Sequence, residues 1–284
     1  PSEMCIRDRA FIVCEYGSFV IRIPFLGQAK QDLCRFKYAN IKEFPMKIKL
    51  SAFVLSLAVC THAHALTTRP VEHTCPMGGE KFTSVMVMSG FSIDMKTDLE
   101  PVGMVMAPAP IPVCPSNKFV MFKDDFTQQE LDKYEKVIRS EAYLKQVAEK
   151  ASAQRLAGVM LELAGENQNA EQMMSIFLHA SWLGGHQQDL EKVLHYADLT
   201  LKDGSLPAEK RVNTKLVRGE MLRKLSRFDE AKKQFEELTK EPTVKASEYL
   251  QKLTELELEL TAEKDTYSHP VRQTLSLRGK IKDE

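Results

Sequence analysis

The sequence predicts a mainly α fold, in which an antiparallel helical array is preceded by a small β/loop ribbon-like segment. Two observations lead to this prediction. Residues 66–126 contain many prolines and glycines, with short apolar runs between them. Residues 127–263 instead repeat apolar residues at helical spacing and contain few helix breakers. A chain that changes composition in this way predicts two adjacent regions of different secondary structure.

Two N-terminal segments are expected to be absent from the mature protein. The chain opens on Pro1 rather than Met, and residues 1–45 lack clear periodicity, so we interpret them as an artefact or as untranslated upstream sequence. Residues 46–65 have the pattern of a secretory signal peptide, because two lysines precede a short apolar core and Ala63-His64-Ala65 provides a small-x-small cleavage site. We therefore predict a periplasmic or secreted protein that begins at Leu66.

Export changes the interpretation of the cysteines, because an oxidising compartment favours disulfides. Cys60 has the outline of a lipid-anchored cysteine, but the branched Val59 before it argues against a lipoprotein. Of the six cysteines, Cys75 and Cys114 follow the predicted cleavage site, and we expect them to pair. Closing a loop of about 40 residues stabilises a fold by roughly 4 kcal/mol in the chain-entropy model.

Residues 66–126 are predicted to form short strands and extended loops. Apolar runs at 82–88, 102–106 and 119–122 lie between prolines and glycines, which is typical of strands too short to be helices. Residues 107–115 alternate proline with other residues, which predicts locally extended chain. We expect the valines and methionines of these runs to be buried, with methionine filling gaps in a small core.

The same segment supports an alternative function, that of a periplasmic protein that binds zinc or copper. The ligands would be His73, Cys75, Cys114, Met86 and Met88, because thiolate and thioether sulfurs favour soft ions such as Cu(I). A structural zinc site needs four ligands, and only the two cysteines and the histidine are at hand. Our first expectation is therefore no cofactor. The alternative requires reduced thiols, whereas the disulfide interpretation excludes them.

Residues 127–263 are predicted to form seven helices joined by short loops. Thr127 and Glu130 form a capping box, which marks the start of the first helix. Gly165, Pro207 and Pro242 are among the residues that separate the later helices. Those helices are expected near 153–164, 169–183, 187–202, 208–225, 228–240 and 244–262. Residues 264–284 contain a proline and mixed charges, and we predict a flexible tail there.

Residues 219–242, GEMLRKLSRFDEAKKQFEELTKEP, resemble the second half of a tetratricopeptide repeat. A small residue, Ala231, stands where the two helices of such a repeat approach closely. The resemblance implies a tetratricopeptide-like array that binds a protein or peptide on the face formed by the first helix of each pair. In that helix we expect Arg211, Lys215 and Arg218 to bind an acidic peptide or a free carboxylate. The alternative is a solvated helix face.

The mature chain as a whole resembles a bacterial family that is known only as a domain of unknown function. The residues that carry the resemblance are TCPMGGEKF (74–82) and PVCPSNKFVMFKDDF (112–126), together with the helices that follow. Members of the family pair a CPxCG-type zinc-ribbon segment with tetratricopeptide-like helices. This chain departs from the ribbon motif at Met77 and Gly78, so the resemblance implies the architecture and not a bound zinc ion. It implies no known activity.

Nothing in the sequence predicts catalysis. The mature region has no CxxC motif, no phosphate-binding glycine loop and no serine or cysteine in a recognisable nucleophile motif. With 39 basic and 39 acidic residues, the chain has no general attraction to nucleic acid. The apolar run at 50–59 is too short to span a bilayer. We therefore expect a non-enzymatic scaffold or adaptor module with a protein or peptide partner.

Overall fold

A computed structural model describes residues 66–280 and, nearer the N-terminus, the backbone of residues 6–8, 11–16 and 19–24. The chain divides into two units, Pro1–Ala63 and His64–Glu284. In the first unit, three antiparallel strands follow one another in a meander: β1 (Ile6–Asp8), β2 (Phe11–Tyr16) and β3 (Phe19–Pro24). These strands are not predicted from the sequence. The signal peptide predicted at 46–65 lies outside the described residues.

The second unit begins with two antiparallel hairpins. Their strands are β4 (Thr67–Thr74) with β5 (Lys81–Ser89), and β6 (Phe91–Met95) with β7 (Pro101–Met104). The hairpins meet at Gly90, where a side chain would not fit, because a Cβ atom there would lie 2.7 Å from the Met104 carbonyl oxygen. The predicted strand at 82–88 lies within β5, and the one at 102–106 overlaps β7 in part, whereas 119–122 contributes only an isolated bridge between Val113 and Val120.

Two similar loops hold the cysteines. In each loop the amide of the cysteine donates to the carbonyl five residues later, at 2.8 Å for Cys75 and 2.9 Å for Cys114. The carbonyl of each cysteine accepts from the amide four residues later, at 3.0 Å in both loops. The two sulfurs form the predicted disulfide, and both cysteines are buried.

The remainder of the second unit is mainly helical, with ten helices among the described residues. They are α1 (Gln128–Ile138), α2 (Glu141–Ala148), α3 (Ala153–Leu163), α4 (Ala170–Trp182), α5 (Gln187–Leu201), α6 (Ala208–Lys224), α7 (Phe228–Leu238), α8 (Pro242–Lys245), α9 (Glu248–Ala262) and α10 (Val271–Leu277). Six of the seven predicted helices lie where the sequence places them, within a few residues. The first is divided at Ser140, whose side chain accepts from the Tyr143 amide and starts a new helix.

The helices from α3 to α7 pack in chain order, each against the next, and α9 then packs against α7. Their core contains Phe177, Leu222 and Phe235, all nearly inaccessible to solvent. A smaller core surrounds the disulfide, where Phe119 and Tyr134 pack beneath the hairpin loops. The small core joins the loops that hold the two cysteines to α1 and α3, so the β4–β5 hairpin is anchored at its cysteine end.

The prediction of a flexible tail is wrong for residues 265–280. The Thr97 amide donates to the His269 carbonyl at 3.0 Å, and Pro270 then begins α10. The Asp94 carboxylate accepts from two backbone amides in the first turn of α10, at 3.0 and 3.1 Å. Proline at the start of a helix and a carboxylate at its N-terminus both favour helix formation, and Val271 and Leu275 are buried.

Helices α6 and α7 approach so closely that Gly219 has no room for a side chain. A Cβ atom at this position would lie 2.6 Å from the Phe235 ring, and both residues belong to the segment that resembles a tetratricopeptide repeat. We expect Gly219→Ala to lower the free energy of unfolding by about 1 kcal/mol, because overpacking outweighs the better helix propensity of alanine.

Urea denaturation followed by circular dichroism measures the effect of Gly219→Ala. Gly204→Ala is the matched control, because a Cβ atom at Gly204 meets nothing within 4 Å. The control should leave stability unchanged or raise it by about 0.5 kcal/mol. Equal stability of the two variants would contradict the close packing of α6 on α7.

Candidate functional site

The most unusual surface of the molecule is on the two hairpins, where large apolar side chains point into solvent. We call these eight residues the hairpin surface. Their exposed fractions range from 36% to 64%. The members are Val85, Met86, Met88, Phe91, Ile93, Met95, Met104 and Met106.

This exposure corrects the expectation that the strands are buried. Successive strand residues point to opposite faces, and a two-stranded hairpin with apolar residues on both faces needs a covering layer for each. Among the described elements, β4 and β5 pack substantially only on each other. Ile93 is the most exposed member, at 64%, and lies at an irregularity in the pairing of β6 with β7. The hairpin surface is therefore apolar and uncovered.

The segment from β5 into β6 is uncharged, although the exposed Arg69 of β4 pairs with Met86 across the first hairpin. No charged residue occurs from Phe82 to Ile93. The next residue, Asp94, accepts from the α10 amides with both carboxylate oxygens. Several exposed large apolar side chains in one region are characteristic of an interaction site, because monomeric proteins rarely leave large apolar areas in contact with water. Methionine side chains are flexible and polarisable, which suits them to varied partners.

The cations predicted to bind an acidic partner already have partners within the chain. Arg211 donates to the carbonyls of Leu201 and Asp203, at 3.2 and 2.8 Å, and so satisfies the C-terminal end of α5. Lys215 pairs with Glu241.

Arg218 donates to Asp198 at 2.6 Å and to Gln234 at 2.9 Å. An acidic peptide would have to displace all of these contacts of Arg211, Lys215 and Arg218, so the structure gives no support to a free basic groove on α6.

The residues of the alternative metal site are not brought together. Cys75 and Cys114 are oxidised to the disulfide and have no thiolate to offer. His73 Nε2 lies 2.8 Å from the Ser84 hydroxyl, while Met86 and Met88 belong to the hairpin surface. Within residues 66–280, no three His, Cys, Asp or Glu side chains are arranged to hold a metal ion. A site that uses both cysteines is therefore excluded in this oxidised state.

A buried polar network centred on Arg223 was not predicted. Arg223 is fully inaccessible to solvent on α6. Its guanidinium donates to Glu257 at 3.1 Å, to Glu220, and to the carbonyls of Asp265 and Tyr267 at 2.6 and 3.0 Å. The arginine thus ties α9 and the C-terminal segment to α6.

The network continues into the turn between β6 and β7. Lys224 donates to Asp98 at 2.7 Å and to the Ser268 hydroxyl at 3.0 Å. The Thr97 hydroxyl donates to Glu220 at 2.8 Å. Two segments far apart in the chain are therefore fixed to the same end of α6. Since all these groups satisfy one another, we interpret the network as structural.

Burial and neighbouring groups shift the pKa values of two carboxyl groups in this network in opposite directions. Burial alone would raise the pKa of Asp98, but Lys224 and the Ser268 hydroxyl lower it below its usual value. Burial and the neighbouring Glu220 raise the pKa of Glu257 well above its usual value, despite the contact with Arg223. Glu257 therefore binds a proton more tightly in the folded protein than an exposed glutamate does.

No family model, no curated protein and no solved structure matched this chain. Across the described helices, none combines the length and the hydrophobicity needed to cross a bilayer. The geometry of the described residues is therefore the basis for a functional proposal.

Proposed function

We propose that this protein is a non-enzymatic protein-interaction module, a scaffold or adaptor, whose hairpin surface binds an apolar segment of another polypeptide. The observation that carries the proposal is the exposure of eight large apolar side chains on the two hairpins. Burying such side chains on a partner contributes about 25 cal/mol for each Å² of apolar area removed from water. Five of the eight are methionines, which favours a partner surface of variable shape.

The helical region supports this role as a rigid base. We propose a tetratricopeptide-like array there, because the segment 219–242 resembles that repeat and its two helices, α6 and α7, pack closely. The contacts of Arg211, Lys215 and Arg218 lead us to assign partner binding to the hairpins and not to α6.

We also propose that the module works in the periplasm or outside the cell. The signal-peptide pattern at 46–65 and the buried Cys75–Cys114 disulfide both support an oxidising compartment. The small core around that disulfide would then hold the β4–β5 hairpin, and with it part of the hairpin surface, in a fixed position for partner binding.

Site-specific photocrosslinking tests the proposed function. With a photoreactive amino acid at Ile93 in the exported chain, we expect a discrete crosslinked partner in the producing cell. A lysine introduced into the hairpin surface, by Met88→Lys or Met104→Lys, should lower the yield of the Ile93 crosslink on the order of tenfold, because an apolar interface desolvates the new charge.

Leu183 provides the control, because its side chain is 49% exposed at the end of α4, outside the hairpin surface. A crosslinker at Leu183 should yield no such product, and Leu183→Lys should leave the Ile93 product unchanged. Equal yields from Ile93 and Leu183, or indifference to the hairpin lysines, would overturn the proposal.

A further inference from the structure

One long edge of the β4–β5 hairpin is open. Among the described residues, β5 pairs with β4 alone, and no backbone hydrogen bond joins the outer edge of β5 to any other segment. In an antiparallel pair, successive residues of a strand direct their backbone N–H and C=O groups alternately toward the partner strand and away from it. Alternate residues of β5 therefore offer backbone donors and acceptors that have no partner in the described part of the chain.

The strand register identifies these residues. The Cys75 amide donates to the Glu80 carbonyl at 2.8 Å, and this bond begins the ladder between the two strands. The pairing then runs without a shift as far as Thr68. Because hydrogen-bonded and non-hydrogen-bonded pairs alternate along the ladder, the backbone groups of every second β5 residue face the open edge. These residues include Thr83, Val85 and Val87.

The two edges of the hairpin differ in how they are protected. Native proteins block exposed edge strands with proline and with charged side chains. On β4, Pro70 pairs with Val85, so by the same alternation its nitrogen faces the outer edge of β4 and offers no donor there. Arg69 and Glu72 add charges to the same strand. The other strand, β5, has no proline and no charge after Lys81, so its edge remains open to pairing.

A cleft of about 330 Å³ adjoins the open edge of β5. Its lining includes four consecutive β5 residues, 84–87. Because successive side chains point to opposite faces of a strand, a cleft that contacts all four reaches the strand edge and not one face alone. The opposite wall contains Ala109, Pro112 and Met121. The Met121 amide donates to the Pro112 carbonyl at 2.9 Å, which fixes this wall.

We propose that the edge of β5 binds an extended, uncharged segment of a partner polypeptide as an added β-strand, through the outward backbone groups of Val85 and Val87. In strand addition to an open sheet edge, main-chain hydrogen bonds supply affinity and alternate side chains supply specificity. The inference rests on the proposed function, since it names how the hairpin surface meets its partner.

The cleft favours a single strand of another protein over a second copy of this chain. An added strand lies about 4.8 Å from its neighbour, and the wall at 109–112 stands on the far side of the cleft. A second copy would bring β5 with β4 already attached to it. That additional strand would need the space that the wall occupies.

The charge of the cleft selects the partner further. Both Lys123 and Asp124 line the cleft. Lys123 pairs with Glu130, so its charge is balanced. The Asp124 carboxylate has no hydrogen bond or ion pair within the described residues, and the cleft therefore carries an unbalanced negative charge. We expect the bound segment to have a lysine or arginine beside its uncharged run.

Titration with a synthetic peptide tests the edge. The probe is a short run of alternating threonine and valine after one lysine, with both ends blocked, because these two residue types favour the β conformation. With the exported, disulfide-intact chain we expect saturable 1:1 binding. The amides of Val85 and Val87 should gain at least about tenfold protection from hydrogen exchange, measured by NMR. The amides of Ser84 and Met86 face β4 and should change little.

Proline substitutions test the same donors from the side of the protein. The double variant Val85→Pro/Val87→Pro removes two outward N–H groups and no bond to β4, and it should raise the dissociation constant of the probe at least about tenfold. Glu72→Pro is the matched control, because Glu72 pairs with Thr83 and its amide faces the outer edge of β4. This control should bind the probe as the unaltered chain does. Asp124→Asn should weaken binding of the lysine probe about threefold and leave a probe with glutamine in place of lysine unaffected.

Three results would overturn strand addition. The first is probe binding that leaves the Val85 and Val87 amides unprotected, and the second is equal affinity of the Val85→Pro/Val87→Pro variant and its control. The third is protection of these amides that rises with protein concentration in the absence of probe, because it would assign the edge to a second copy. If the Ile93 crosslink forms in the unaltered chain and persists in Val85→Pro/Val87→Pro, partner binding by the hairpin surface stands and strand addition is wrong.

Discussion

Replacing Arg223 by methionine is expected to lower the free energy of unfolding by about 3–5 kcal/mol. Arg223 is fully buried and is the hydrogen-bond donor to Glu220, to Glu257 and to two carbonyls of the C-terminal segment. Methionine fills a similar length but donates no hydrogen bond. The variant leaves a buried carboxylate without its counter-charge and two carbonyls without a donor, and each of these is costly in a dry interior.

Urea denaturation measures this loss, and hydrogen exchange locates it. We expect amides of residues 265–277 to exchange faster in Arg223→Met, because the segment loses its anchor to α6. Arg227→Met is the control, since Arg227 and Glu230 form a largely exposed pair that contributes at most about 1 kcal/mol. A loss no greater than that of the control would show that Arg223 does not hold the segment.

Glu257→Gln provides a further comparison for the same network. The pKa of Glu257 is raised in the folded state, so the folded protein binds a proton that the unfolded chain releases. The contribution of Glu257 to the free energy of unfolding is fully present below the pKa of its unfolded form, and it is lost as the pH rises through the pKa of its folded form. Glutamine resembles the protonated form, so the variant should lose less stability with rising pH than the unaltered protein.

Removing the disulfide is expected to lower the free energy of unfolding by about 4 kcal/mol. The bond joins residues 39 apart in sequence and lies in the smaller core. We propose the double variant Cys75→Ala/Cys114→Ala, because alanine leaves neither a thiol nor a buried hydroxyl. The β4–β5 hairpin depends on this core for its anchorage, so the loss should affect residues 66–89 and 109–126 more than the helices α4 to α7.

Hydrogen exchange resolved by segment separates these two regions, and intact mass before and after reduction verifies the bond. As a control, a mild reductant without denaturant should leave the mass of the unaltered protein unchanged, because Cys75 and Cys114 are at most 1% exposed. Uniform destabilisation of all helices would contradict the local role of the disulfide. On protein exported by its own leader, the same mass also establishes whether the chain begins at Leu66.

The helices could be predicted because their signals are local. Thr127 and Glu130 form the capping box within three residues of each other, and the later breaks coincide with glycine or proline. The division at Ser140 was missed because apolar residues continue at roughly helical spacing on both sides of it. A single side-chain cap ends that continuity, and the spacing of apolar residues does not detect it.

The sites could be predicted far less well, because they depend on residues distant in sequence. The partner of Arg223 on α9 is 34 residues away, and its carbonyl partners in the C-terminal segment are more than 40 away. No spacing rule connects these groups. The hairpin surface was missed for a different reason. Apolar residues on both faces of a strand usually indicate burial on both sides. Here β5 packs substantially only on β4, and β6 packs on β7 and α10 but keeps Phe91 and Ile93 exposed.

The contact between Thr97 and His269 spans 172 residues, so it joins two segments that leave the ribosome at widely separated times. During synthesis, Arg223 and Glu220 emerge well before the carbonyls and hydroxyl that complete their surroundings. A chain released before Ser268 would leave Arg223 and Lys224 without some of their hydrogen-bond acceptors, and the turn after β6 would lose its contacts with the C-terminal segment. The network therefore makes translation beyond Ser268 a condition of native stability, and shorter products would remain open to proteases.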